Sequence, residues 1–121
     1  MDSYPVYTAI GQLFYAIAAC DKTIRPEEKE VLRKALRQSW LPADQAAMAI
    51  AYEFRRLLDS SPDAWNSYHF FENYWNGHRD QFTDDIADRI RKTANAIADV
   101  VGGKNKSELV MLSRLDGLLK A

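Results

Sequence analysis

Two acids hold the positions from which chemistry could start. Asp21 follows Ile17 by four residues and carries the apolar stripe of one helix into the loop after it. Glu28 precedes Val31 and Leu32 by three and four, which sets it on the inward stripe of the next helix. Both face one inter-helix corner, where Glu27 adds a third carboxylate and Thr23 and Ile24 add backbone carbonyls. Hard divalent cations take such oxygens. Calcium wants about six to eight and magnesium a strict octahedron, so these groups form a partial shell completed by water. A second role fits the same residues: Asp21 can accept loop N–H groups in an Asx turn, and Glu28 can accept the N–H of Arg25 as half of a capping box.

The elements that must position these acids are helical. Val6, Ile10, Leu13, Phe14, Ile17 and Ala18 repeat at three and four and predict a first helix over about 4–20 with one buried stripe. Pro26 opens a second helix with Glu27 and Glu28 in its first turn, where negative charge opposes the helix dipole, and Val31, Leu32, Ala35 and Leu36 form its stripe. Ala47, Ile50, Ala51, Phe54, Leu57 and Leu58 mark a third helix whose small residues suit close helix packing. A fourth, from Pro62 to about Trp75, carries Trp65, Tyr68, Phe70, Phe71, Tyr74 and Trp75, and Asn76-Gly77 is expected to end it in a left-handed turn. Thr83 caps a fifth helix with the stripe Ile86, Ile90, Ala94, Ile97 and Val101, closed by Gly102-Gly103. Asn105 with Glu108 opens a sixth, on Met111, Leu112, Leu115, Leu118 and Leu119. No strand pattern competes.

At an offset of 80 residues, Ala16-Ile17-Ala18 matches Ala96-Ile97-Ala98, Glu28 matches Glu108, Leu32 matches Leu112 and Lys34 matches Arg114. The matches flank the same feature each time: a helix end, a short loop and a helix start with Glu at its third position. An Asp usually followed by Gly, with a hydrophobic residue at the third position after it and Glu at the seventh, set between two helices and present twice, resembles the TerB-like family of tellurite-resistance proteins. The matching residues are Asp21, Ile24 and Glu28 after Leu13-Phe14-Tyr15-Ala16-Ile17-Ala18-Ala19-Cys20, then Gly102 and Glu108 after Ala94-Asn95-Ala96-Ile97-Ala98. Lys22 stands where the family usually has Gly, and Val101 where the second copy would have Asp.

The resemblance implies an all-helical bundle of bacterial origin, associated with tellurite resistance and chemical stress, binding divalent metal at acidic loops and working through partner proteins. It places a metal at Asp21 and Glu28, with Glu27 beside them and Glu108 as the member from the second copy. The expected fold is all-α, a single six-helix domain over 1–121 in which the helix pairs at about 4–38 and 84–119 are related by an approximate two-fold. Helices three and four fill the space between them, and Ile17, Leu32, Phe54, Ile97 and Leu112 are core. A divalent ion is the one cofactor this reading calls for.

Another reading uses no metal. The aromatics of the fourth helix exceed one buried stripe, so Trp65, Tyr68, Phe71 and Trp75 can form a surface for a protein partner or for self-association. His69 and His78 lack the spacing of a helical zinc pair, and Cys20 lies beside Asp21, whose charge raises a thiol pKa. Lys22, Arg25, Lys29, Arg33 and Arg37 line one side of the second helix, interrupted by Glu27 and Glu30, which predicts a solvated mixed face. No sequence motif of catalysis is present, so a non-enzymatic role is expected. Sixteen Lys and Arg against seventeen Asp and Glu remove the footprint of a nucleic-acid binder. No membrane span is expected, and the start MDSYPVY, without a basic end or cleavage signal, points to the cytoplasm.

Overall fold

The structure, a computed structural model, describes residues 4–20, 24–40, 44–100 and 106–120. These residues form six α-helices, α1 (Tyr4–Ala19), α2 (Pro26–Ser39), α3 (Asp44–Ser60), α4 (Ala64–Gly77), α5 (Asp84–Ala98) and α6 (Lys106–Lys120), with a 3-10 turn over Arg79–Gln81. No strand occurs among them. The fold is an all-α six-helix bundle, and Ile17, Leu32, Phe54, Ile97 and Leu112 are all buried in it. No helix of the described residues is long and apolar enough to cross a membrane.

The local sequence explains where several helices start. Pro26 sits at the first turn of α2, where its missing N–H costs nothing. The Thr83 hydroxyl accepts the Ile86 N–H at 3.2 Å and caps α5. α4 begins two residues later than its proline suggests: the Asp63 carboxylate accepts N–H groups from Trp65 and Asn66, and Pro62 lies outside the helix. The sharp entry is made by Ser61, which takes the left-handed conformation at φ 49°. The backbone of Gly77 is not left-handed; it is the last residue of α4, and His78 closes the helix by donating its N–H to the Trp75 carbonyl. Gly102, Gly103, Val101 and Asn105, expected to end α5 and cap α6, lie outside the described residues.

α1 departs most from expectation. In place of one buried stripe, every residue from Ala9 to Ala18 is buried, because α3, α4 and α5 all pack around it and α6 touches it. A helix that is apolar nearly all round belongs in such a position. α3 and α4 therefore lie chiefly against α1 and do not fill a gap between two equal helix pairs. α1 meets α5, and each also meets the other's following helix, α2 against α5 and α6 against α1. The offset positions share their burial at Ile17 and Ile97, Ala18 and Ala98, and Leu32 and Leu112, whereas Ala16 is buried and Ala96 is exposed, since α5 has solvent where α1 has neighbours.

α1 and α3 meet closely at Gly11. A Cβ placed there would stand 2.8 Å from the Glu53 Cβ and 3.1 Å from the Ile50 carbonyl oxygen. The close packing assigned to small residues of α3 is thus made possible by a glycine of α1, while Ala51 of α3 is exposed. The same contact buries polar atoms. Gln12 Nε2 donates to Glu53 Oε2 at 2.7 Å, and Arg56 donates to both Glu53 oxygens at 3.0 and 2.7 Å. These donors replace the water that the Glu53 carboxylate gives up on burial.

Candidate functional site

The acidic corner is built from the start of α2. Glu28 is 1% exposed, and its Oε1 accepts the Arg25 N–H at 2.7 Å, the half capping box that the spacing allowed. An inward stripe and a cap thus use one side chain: Glu28 is buried in the bundle while its carboxylate closes the helix end. Glu27, one residue earlier, is exposed and faces away from that interior. Glu108 occupies the same step of α6 and is 2% exposed. Asp21, the acid that would complete the corner, lies outside the described residues, and these contain no group of three His, Cys, Asp or Glu side chains able to hold a metal ion. Cys20 is half-buried, its thiol donating to the Ile17 carbonyl at 3.2 Å.

The aromatic helix serves the core more than the surface. Tyr68, Phe71 and Trp75 are buried, and only Trp65 of the four expected surface rings is partly open; Phe70, elsewhere on the helix, is exposed. The reason is that α4 packs against α1, and Phe82, which follows the 3-10 turn, folds back onto the end of α4, its ring centroid 5.8 Å from Phe71 and 4.7 Å from Trp75. Tyr74 spans the same turn, stacking on His78 at 4.0 Å and donating its hydroxyl to Gln81 at 2.6 Å. His69 is exposed and stands 3.4 Å from Glu72. Neither histidine belongs to a metal-binding cluster among the described residues.

Glu72 ties α4 to α6. Arg114 donates to both of its oxygens at 3.1 and 3.0 Å, and these hydrogen bonds hold the carboxyl below its ordinary value of 4.5. Burial pushes the neighbouring Tyr68 phenol up to about 12, with the Glu72 charge adding to the rise. A carboxyl depressed in the folded state stabilises it above the unfolded pKa, and this contribution is lost as pH falls through the folded value. The melting temperature of Glu72→Gln is therefore expected to lie below that of the parent at pH 7, and the gap to close as pH drops below about 4.5. A gap unchanged down to pH 3 on thermal melts would show that the bidentate tie adds nothing.

A groove runs between α2 and α3, where the two helices barely meet. It has a volume of about 450 Å³, a floor of Leu32, Leu36, Phe54 and Leu58, and a rim carrying Lys29, Arg33, Arg37 and Arg55. From sequence, the α2 cations read as a solvated face. The signal passed over lies in α3, where Ala47, Ala51 and Leu58 form a stripe of their own beside the one that packs on α1. The buried Gln12 and Glu53 pair, closed from the surface by the exposed Arg56, was also missed; its mark in the sequence is the lone amide in an apolar run. No family model, curated protein or solved structure matches the chain.

Proposed function

We propose that the chain is a non-enzymatic, TerB-like helical module of a chemical-stress response that acts by engaging a partner protein. The observation that carries this reading is the pair Glu28 and Glu108. Each stands at the third position of the second helix of its pair, at matching places in the sequence, and each is almost wholly withdrawn from water. A buried carboxylate costs several kcal/mol, on the order of 3–5, unless donors surround it. Its presence at the same step of two helix pairs supports a duplicated unit with an acidic inner corner, as the resemblance implies. Asp21 would complete that corner in the first pair, and a divalent ion is the ligand its oxygens would suit.

Two measurements test the proposal. Cells lacking the gene are expected to lose survival under tellurite or oxidant challenge and to regain it with the wild-type chain; unchanged survival would overturn the stress reading. In the second, the protein is titrated calorimetrically with calcium, magnesium, manganese and zinc. Asp21→Asn is expected to leave stability unchanged, because an amide oxygen still accepts, whereas Glu28→Ala costs about 1 kcal/mol or more by orphaning the Arg25 N–H. A divalent-metal heat that vanishes in Asp21→Asn without loss of stability assigns the corner a metal; no heat in the parent leaves it a helix cap. A second reading, a metal-free interaction domain using α4, is favoured by the exposed Phe70 and the partly open Trp65 of that helix.

A further inference from the structure

The groove between α2 and α3 pairs an apolar floor with cations on both rims. Lys29, Arg33 and Arg37 follow one another at four-residue steps, so they form a row along α2 with roughly 6 Å between members. Arg55 stands on the facing rim, and no acidic side chain lines the groove. Arg33 is shared with Glu30, which lies outside the lining, while Lys29, Arg37 and Arg55 have no ion-pair partner among the described residues. The net charge of the chain is −1, so this is a local concentration of positive charge. Met48 is 71% exposed at the edge of the groove, an apolar, adaptable side chain left in water. Ala47 and Ala51 keep the α3 wall low, which is why the two helices leave an open trough.

We propose that this groove binds an acidic amphipathic helix of a partner protein, its apolar face on Met48, Ala51 and Leu58, the lining side chains left open to solvent, and its carboxylates along the cationic rims. The geometry selects this occupant by charge and by repeat. A helix laid alongside α2 with Glu at every fourth position presents carboxylates at the same roughly 6 Å step as Lys29, Arg33 and Arg37. A fatty acid brings one carboxylate and would leave the rest of the row unused. The proposal supplies the partner chemistry of the reading above and rests on it only for the existence of a partner; peptide binding can fail while stress survival or metal heat persists, and the reverse.

The test uses the full chain and a fluorescent helical peptide of about 18 residues with a leucine face flanked by glutamates, beside its lysine-for-glutamate twin. Saturable binding of the glutamate peptide is expected, about tenfold or more tighter than the twin. It should weaken as salt rises, with shifts of the Met48 methyl resonance on binding. The double variant Lys29→Glu/Arg37→Glu, whose side chains are exposed, should keep the parent melting profile and reverse the preference toward the lysine peptide. Met48→Glu should weaken binding of the glutamate peptide without that reversal. Equal affinity for both peptides, no binding of either, or a preference that the charge-reversed variant leaves intact would overturn the proposal. So would binding only to decanoate, or to vesicles rich in phosphatidylglycerol that the glutamate peptide does not displace.

Discussion

Trp40→Ala is expected to lower stability by about 3–5 kcal/mol, a fall in melting temperature of roughly 10–20 °C. Trp40 is 1% exposed at the C-terminal end of α2 and is among the largest fully buried side chains of the bundle. Its ring meets Phe14 of α1 edge-on at 6.2 Å, and its Nε1 donates to the Thr93 hydroxyl of α5 at 3.2 Å. One side chain thus joins α2 to both the central helix and α5. Truncation leaves a cavity whose walls belong to three helices and collapse only in part. Trp40→Phe keeps most of the ring and loses the indole donor, so its cost should fall to about 1–2 kcal/mol. Chemical denaturation of the two variants checks the order; equal losses would mean that the hydrogen bond, and not the volume, holds this joint.

The second large effect is steric and reverses sign within one residue type. Gly11→Ala places a methyl 2.8 Å from the Glu53 Cβ and 3.1 Å from the Ile50 carbonyl oxygen, and a backbone oxygen in the middle of α3 cannot swing aside. Alanine gains about 1 kcal/mol of helix propensity over glycine, and overpacking removes about 1–3, so a net loss of up to roughly 2 kcal/mol is expected. Gly11→Val, with two further methyls at the same contact, should cost more than about 3 kcal/mol and pull Gln12 away from Glu53. Gly117, inside α6, is exposed, and a methyl added there would meet nothing within 4 Å. Gly117→Ala should therefore stabilise by about 0.5–1 kcal/mol. If Gly11→Ala also stabilised the protein, the close approach of α1 and α3 would be wrong.

These two sites bear on function through the groove. α3 is held on α1 by the Gly11 contact, and α2 is anchored toward α5 and α1 by Trp40, so the trough between α2 and α3 keeps its width because each wall is fixed elsewhere. Peptide affinity is expected to suffer in Trp40→Ala even where the variant remains folded at low temperature, since one wall loses its anchor.

The amino-acid sequence by itself determined what depends on neighbours within a turn or two. The apolar spacing of three and four made six helices legible, Pro26 and Thr83 marked two starts, and Glu28 could be placed on the Arg25 N–H, because caps and stripes are local geometry. The tertiary structure decided everything that needs a second helix. Whether α1 buries one face or all of them depends on how many helices surround it, and periodicity cannot count them. The same α4 aromatics read as a surface until α1 packs against them and Phe82 folds over Phe71 and Trp75, and the small residues of α3 read as close packing until the approach proves to be at Gly11. The cations of α2 likewise are a solvated face on an isolated helix. They became the rim of a groove only because α3 stands across from them at a separation set by α1 and α5, helices distant in the chain, so no local pattern of residues records it.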